Sequence, residues 1–179
     1  MRSQSLFERA WLDKFLSCLP ENPRILDIGC GTGQPIAGHL IERGAQLTGV
    51  DGASNLIDIA RASLPKGRWL TADIRGLDLG ARFDGILGWN STFHLSHDEQ
   101  RAMFQTFKNH IQKGTALMFT SGPEFGETTG QFAGEPISYS SLSSDEYRAL
   151  LQAHGFTFLE HVVEDPTCGD HTIWLAQSQ

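Results

Sequence analysis

Arg24 to Ile28 (RILDI) is a short aliphatic run bounded by Pro23, and it leads directly into glycines at positions 29, 31 and 33. Such a run reads as a buried strand. Gln34 to Arg43 follows as a helix, with Ile36, Ala37, Leu40 and Ile41 on one face and Gly44 as its terminator. A strand, a tight glycine turn and an amphipathic helix are the opening of a βαβ unit. They commit the chain to a mostly parallel sheet with helices packed on its faces. The turn also lets backbone approach a ligand closely and aims helix amides at it.

The pattern then repeats. Ala45 to Val50 is a second strand ending in Asp51, and Ser54 is a plausible N-cap for a helix from Asn55 to Leu64. Strands are expected at Arg68 to Ala72, Arg82 to Gly88 and Thr115 to Thr120. Ser96 with Glu99 three positions on marks a capping box for a helix running to about Gln112. Ser143 or Ser144 opens a helix through Ala153, and residues 5 to 18 carry helical spacing that Pro20 stops. Phe156 to Glu164 and His171 to Ala176 are strands with only residues 165 to 170 between them. So short a loop forces an antiparallel hairpin. The fold expected is a doubly wound α/β domain: a mostly parallel, seven-stranded sheet with a reversed C-terminal strand. Residues 1–179 form one domain, with an N-terminal helix within 1–22 and a long irregular stretch at 122–141. A loop of roughly 20 residues in a compact domain is usually functional, here a substrate loop.

Composition narrows the partners. The net charge is −7, and no basic run or stripe occurs, which argues against nucleic acid. Cys18, Cys30 and Cys168 form no CxxC pair, so neither a zinc site nor a disulfide framework is expected. The opening MRSQSLFERAW lacks a secretory apolar core, and no apolar run approaches the ~20 residues that span a bilayer. A cytoplasmic protein with no membrane partner and no metal is expected, as a monomer or homodimer.

Three acidic residues close three successive strands on the side where open α/β sheets bind ligands. Asp27 lies two residues before the first glycine, where a carboxylate suits a cationic ligand group and would repel a pyrophosphate; it could instead bond the turn's own amides. Asp51 stands where an acid accepts both ribose hydroxyls, or where it caps the next helix. Asp73 can accept from an adenine amine while Ile74 packs on the ring, or serve as a turn aspartate. The glycines are spaced G-x-G-x-G, distinct from the dinucleotide fingerprint G-x-G-x-x-G.

With ILDIGCGTGQP, LTGVDGASNLIDIAR, LTADIRGL and RFDGILGWNSTFHL taken in order, the chain from Arg24 to Gln177 resembles the class I S-adenosylmethionine-dependent methyltransferases. The terminal hairpin matches the reversed last strand of that fold. The resemblance implies S-adenosylmethionine as cofactor and a role for each matching residue. Asp27, Gly29, Gly31 and Gly33 would line its methionine part, with backbone contacts from Cys30 and Thr32. Asp51 would hold the ribose beside Gly52, with Leu56 near the adenine, and Asp73 and Ile74 would bracket the adenine. Trp89 and Asn90 would lie beside the cofactor and His94 near the methyl group or substrate. Many relatives carry an additional N-terminal segment with aromatic and basic residues that folds over the cofactor. Here residues 1–23 precede the first strand, with Arg2 and Phe7 as the nearest substitutes, so a truncated or lid-poor protein is one expectation.

Methyl transfer from a sulfonium is an in-line displacement, and alignment alone can contribute roughly 7–11 kcal/mol. A base is needed only where the nucleophile must lose a proton. His94 is the first choice as base, or equally a helix-entry residue bonded to backbone; His97, Tyr139 and Glu124 stand behind it. His110, His154, His161 and His171 read as surface or edge residues, and Phe125 and Phe132 as loop anchors or covers for an apolar substrate. The function expected is a small-molecule methyltransferase. The alternatives are a non-catalytic S-adenosylmethionine-binding protein, acting as a sensor or partner subunit, and a nicotinamide-dependent oxidoreductase, against which the glycine spacing, Asp27 and the hairpin all count.

Overall fold

The computed structural model describes residues 6–132 and 134–179; Arg2 lies outside them. A first helix, α1 (Arg9–Ser17), precedes β1 (Arg24–Ile28), α2 (Ile36–Glu42), β2 (Gln46–Asp51), α3 (Ser54–Ser63), β3 (Arg68–Thr71) and β4 (Phe83–Gly88). Then come α4 (His97–His110), β5 (Ile111–Ser121), β6 (Gly126–Phe132), β7 (Glu135–Ser141), α5 (Ser144–Ala153), β8 (Phe156–Asp165) and β9 (His171–Ser178). Seven strands form one sheet in the order β3-β2-β1-β4-β5-β9-β8. β1 pairs in parallel with both β2 and β4, whereas β9 runs antiparallel to β5 and β8. The expected seven-stranded sheet with its reversed last strand is therefore present. The strand order switches direction between β1 and β4, and ligands of open α/β sheets bind at the carboxyl ends of strands beside such a switch.

Strand alternation sends side chains to two cores. On one face Ile25, Leu47, Leu87, Met118 and Ile173 pack with Trp11, Leu12 and Phe15 of α1, Leu40 of α2 and Ile57 of α3. On the other face Leu26, Ile28, Ile86, Leu117, Phe119 and Trp174 pack with Phe104 and Phe107 of α4 and Tyr147 and Leu151 of α5. No helix among the described residues is long and apolar enough to cross a membrane.

Several expectations change. The stretch 122–141 is not irregular: β6 and β7 pair antiparallel from Gly126↔Ser141 to Phe132↔Glu135 as a separate two-stranded sheet. Its strands, GETTGQF and EPISYSS, are largely polar, so the apolar alternation that betrays a half-buried strand is missing. Ser54 is the first helical residue of α3 and makes no cap bond; the amide of Ala53 donates instead to Asp51 Oδ1 at 2.9 Å. The capping box at Ser96 and Glu99 forms as expected. His110 is fully buried, not on the surface, with its Nε2 accepting from the Leu79 amide at 3.0 Å.

A buried polar knot fixes the root of the hairpin. Gln100 Nε2 donates to the Leu95 carbonyl at 2.9 Å and to the Ser140 carbonyl at 2.8 Å, while the Tyr147 hydroxyl donates to Gln100 Oε1 at 2.5 Å. Ser140 Oγ donates to the Leu95 carbonyl, and the Leu142 amide donates to the Tyr147 hydroxyl at 3.2 Å. One side chain on α4 thus ties together β7, α5 and the turn before α4. Gln100→Leu strands several of these groups without partners and should cost roughly 1–3 kcal/mol of stability; urea denaturation of the two proteins measures it.

Candidate functional site

The glycine turn is held from β2. The amides of Gly29 and Cys30 donate to the Val50 carbonyl at 2.8 and 3.0 Å, and the Gly31 amide donates to Asp51 Oδ2 at 2.9 Å. Asp51 therefore clamps the turn through one oxygen and caps the start of α3 through the other. It is Asp51, not Asp27, that bonds the turn's amides. Each Asp51 oxygen keeps an acceptor site for a further donor.

Two of the three glycines make room for the protein itself. A Cβ on Gly29, whose φ is +74°, would lie 2.3 Å from Cβ of Ser91, and one on Gly33 would lie 2.8 Å from the Trp69 ring. Ser91 is pressed there because its hydroxyl donates to the Ile28 carbonyl at 2.7 Å. The Cβ positions of Gly31 and Gly52, by contrast, face open space. The opening above the turn is thus flanked by those two residues, with half-buried Cys30, Thr32 and Leu56 nearby in the chain. Burial, with Asp27 and Asp51 close by, pushes the Cys30 thiol far up, so it stays a neutral thiol.

Asp27 is the anomaly of the sheet. It shares the face of β1 that carries Ile25, is 3% exposed, and has no hydrogen-bond partner among the described residues. Burial, reinforced by the charge of Asp51, pushes its carboxyl up to about 7. A buried carboxyl without a cation or donor fits a ligand that brings an ammonium group. The methionine part of S-adenosylmethionine carries one, and its ribose diol matches the acceptor sites left on Asp51.

Asp73 and Ile74 follow β3, next to β2, where the Ala72 amide donates to the Asp51 carbonyl at 3.1 Å. The Asp73 carboxylate is already gripped by Arg75, whose guanidinium donates at 2.6 and 2.9 Å and also reaches Glu99 at 3.0 Å. That side-chain bond holds Asp73 down at about 2. Ile74 is half-buried against the α4–α5 side core.

Beyond β4, Asn90 takes a left-handed conformation with φ +50°, and its amide donates to Thr120 Oγ1 at 2.8 Å. Trp89 is buried, its indole stacks on His171 at 5.6 Å, and its Nε1 has no partner among the described residues. His171 in turn packs on Phe7 at 5.7 Å, which brings the segment before α1 beside the β4 end. His94 is exposed in the turn Thr92–His94, packed against Phe93 at 4.7 Å and Tyr139 at 5.0 Å. Its Nδ1 lies 3.2 Å from the Ser138 carbonyl on β7. A carbonyl only accepts, so Nδ1 is the protonated nitrogen of the neutral ring and its Nε2 carries the lone pair.

The hairpin, the end of β5 and Phe93 of the turn before α4 form a pocket of about 390 Å³, lined also by Ser121, Glu124, Phe125, Glu127 and Tyr139. Sequence reasoning picked Glu124, Phe125 and Tyr139 from this wall. It missed Ser91, Thr120 and Gln100, which position the site without touching it. Their signal was faint: polar residues at the ends of apolar strands, in GWNST and FTS, and one glutamine on an otherwise apolar helical stripe.

Solved structures share this architecture. A structure of CalS10, an S-adenosylmethionine-bound amino pentose methyltransferase from Micromonospora echinaspora, matches with a TM-score of 0.79 at 20% identity over 99% of this chain and 92% of that one. Rossmann-like methyltransferases are thus the fold class. A family model described as a methyltransferase domain matches residues 25–114, half of the chain, and the chain belongs to that family. Among curated relatives, YqeM of Bacillus subtilis, named as a methyltransferase, is 31% identical over 78% of this chain and 62% of its own length. Trans-aconitate 2-methyltransferase of Azoarcus sp. is 37% identical over 65% of this chain and 46% of its own length. The chain therefore spans about half the length of the curated relatives it matches.

The raised carboxyl gives a signed prediction. With the folded value of Asp27 near 7 and the unfolded value near 3.8, the folded state loses stability as pH rises from about 4 through about 7. Asp27→Asn removes that loss. Its effect on the ligand-free protein should shift in the stabilising direction by ~2–3 kcal/mol between pH 5 and pH 8. Denaturant titrations at the two pH values measure the difference.

Proposed function

We propose that this chain is an S-adenosylmethionine-dependent methyltransferase acting on a small molecule. The observation that carries the reading is Asp27, a buried carboxyl without a hydrogen-bond partner among the described residues, beside a turn already clamped by Asp51. Family membership supports it, as do relatives named for trans-aconitate and for an amino pentose, both small molecules. A cytoplasmic monomer or homodimer that needs no nucleic acid belongs to the same reading.

The cofactor supplies a methyl group on a sulfonium already activated for displacement. Asp27 receives its ammonium, and the space beside Gly31 admits its methionine part, with Gly29, Cys30, Thr32 and Gly33 shaping the turn. Asp51 accepts the ribose hydroxyls, Gly52 leaves them room, and Leu56, Asp73 and Ile74 flank the adenine. Arg75 donates to both oxygens of the Asp73 carboxylate, so an adenine amine would share an oxygen with it. Trp89 and Asn90 bound the cofactor on the β4 side.

His94 is the proposed general base. The Ser138 carbonyl fixes its tautomer, so Nε2 can take a proton from an acceptor lying in the hairpin pocket. Because Ser138 belongs to β7, the element that walls the pocket also orients the base.

Two measurements test the reading. Asp51→Ala should weaken S-adenosylhomocysteine binding roughly 10–100-fold by calorimetry, through loss of charge-assisted hydrogen bonds; unchanged affinity would refute the ribose assignment. His94→Gln should leave that affinity intact and lower kcat by roughly 10²–10⁴ with an acceptor found by screening metabolites for turnover. A protein that binds the cofactor yet turns over no acceptor would be a sensor or partner subunit instead.

A further inference from the structure

The hairpin pocket carries information about the acceptor, given the methyltransferase reading above. Kinship does not choose the acceptor's charge: one relative is named for trans-aconitate, an acid, and another for an amino pentose. The pocket wall does discriminate. Three of its hydroxyls are committed to the protein. Ser121 Oγ accepts from Trp174 Nε1 at 2.9 Å, Ser140 Oγ donates to the Leu95 carbonyl, and Ser141 Oγ donates to the Leu142 carbonyl at 3.0 Å. The polar side chains left for a ligand are Glu124, Glu127, Thr128 and Tyr139, and no Lys or Arg is among the residues lining the pocket. Glu124 has no partner among the described residues, and Glu127 has only the imidazole of His97 at 3.6 Å. Apart from Gly122, Pro123 and Gly126, the remaining wall is the rings of Phe93, Phe125 and Tyr139.

An anionic acceptor would lose water in this pocket and meet two carboxylates with no Lys or Arg in the lining to offset them. An ammonium would meet those carboxylates and ring faces that attract cations. We propose that the acceptor is an amine-bearing small molecule that enters as its ammonium, held between Glu124 and Glu127 and against the rings of Phe93, Phe125 and Tyr139. His94 Nε2, whose ring packs on both Phe93 and Tyr139, takes one proton from the ammonium. The freed nitrogen lone pair forms the new N–C bond as the C–S bond breaks with its electron pair going to sulfur. The products are the methylated ammonium, a neutral thioether and a protonated His94, which returns its proton to solvent.

The test is calorimetric and independent of turnover. Phenyltrimethylammonium and 3-phenylpropionate, similar in size and opposite in charge, are titrated into the protein saturated with S-adenosylhomocysteine and into the protein alone. The cation should bind at least roughly tenfold more tightly than the carboxylate, and the double variant Glu124→Gln, Glu127→Gln should lose most of that preference. Both glutamates are exposed, so the variant should fold, and a thermal melt checks it. Absence of cation binding, tighter binding of the carboxylate, or a preference untouched by the double variant would each overturn the proposal. Failure of S-adenosylhomocysteine itself to bind would instead overturn the cofactor reading, and the titration without it still reports on the pocket.

Discussion

Asp27 occupies the position on β1 where the alternation that buries Ile25 would place another apolar side chain. No described residue offers it a hydrogen bond, and the charge acting on it, that of Asp51, is also negative. Burying a carboxyl under these conditions costs stability whenever it ionises. A fold that retains such a group fits a partner that arrives later and carries the opposite charge. The geometry around the turn follows from keeping that place open. Asp51 holds the Gly31 amide, Ser91 presses against Gly29, and Trp69 fills the space behind Gly33, so the turn is rigid before any ligand arrives.

The sheet itself was legible because its signals are local and strong. RILDI between a proline and a glycine, AQLTGV ending in an aspartate, and the six residues separating the last two strands each admit one reading. The capping box at Ser96 needed no tertiary context. The β6–β7 hairpin was illegible for the opposite reason: it is stabilised at its root by Gln100, Ser140 and Tyr147, which lie 40 and 47 residues apart along the chain, and not by an apolar face of its own.

At the site, the sequence placed acidic residues at three strand ends but left the task of each open. Only the folded arrangement separates them. Asp51 is partnered by the turn, Asp73 by Arg75, and Asp27 by nothing among the described residues. The same distinction could not come from spacing, because all three stand at or near the carboxyl ends of their strands, and position alone does not say which of them finds a partner. His94 is similar: its position after β4 was readable, whereas its tautomer depends on a carbonyl 44 residues away on the hairpin. Base orientation, pocket wall and hairpin anchoring therefore form one unit, built by long-range contacts that no local pattern encodes.

The most direct measurement is the pH dependence of S-adenosylhomocysteine binding, by calorimetry in buffers of different ionisation enthalpy. If the ligand's ammonium meets the Asp27 carboxylate, the carboxyl must be ionised for binding. Affinity should then fall about tenfold per pH unit below about pH 7, with nearly one proton released on binding there and little above about pH 8. An affinity that stays flat from about pH 5.5 to about pH 8.5 with no proton release would contradict the assignment of Asp27 as the ammonium's partner.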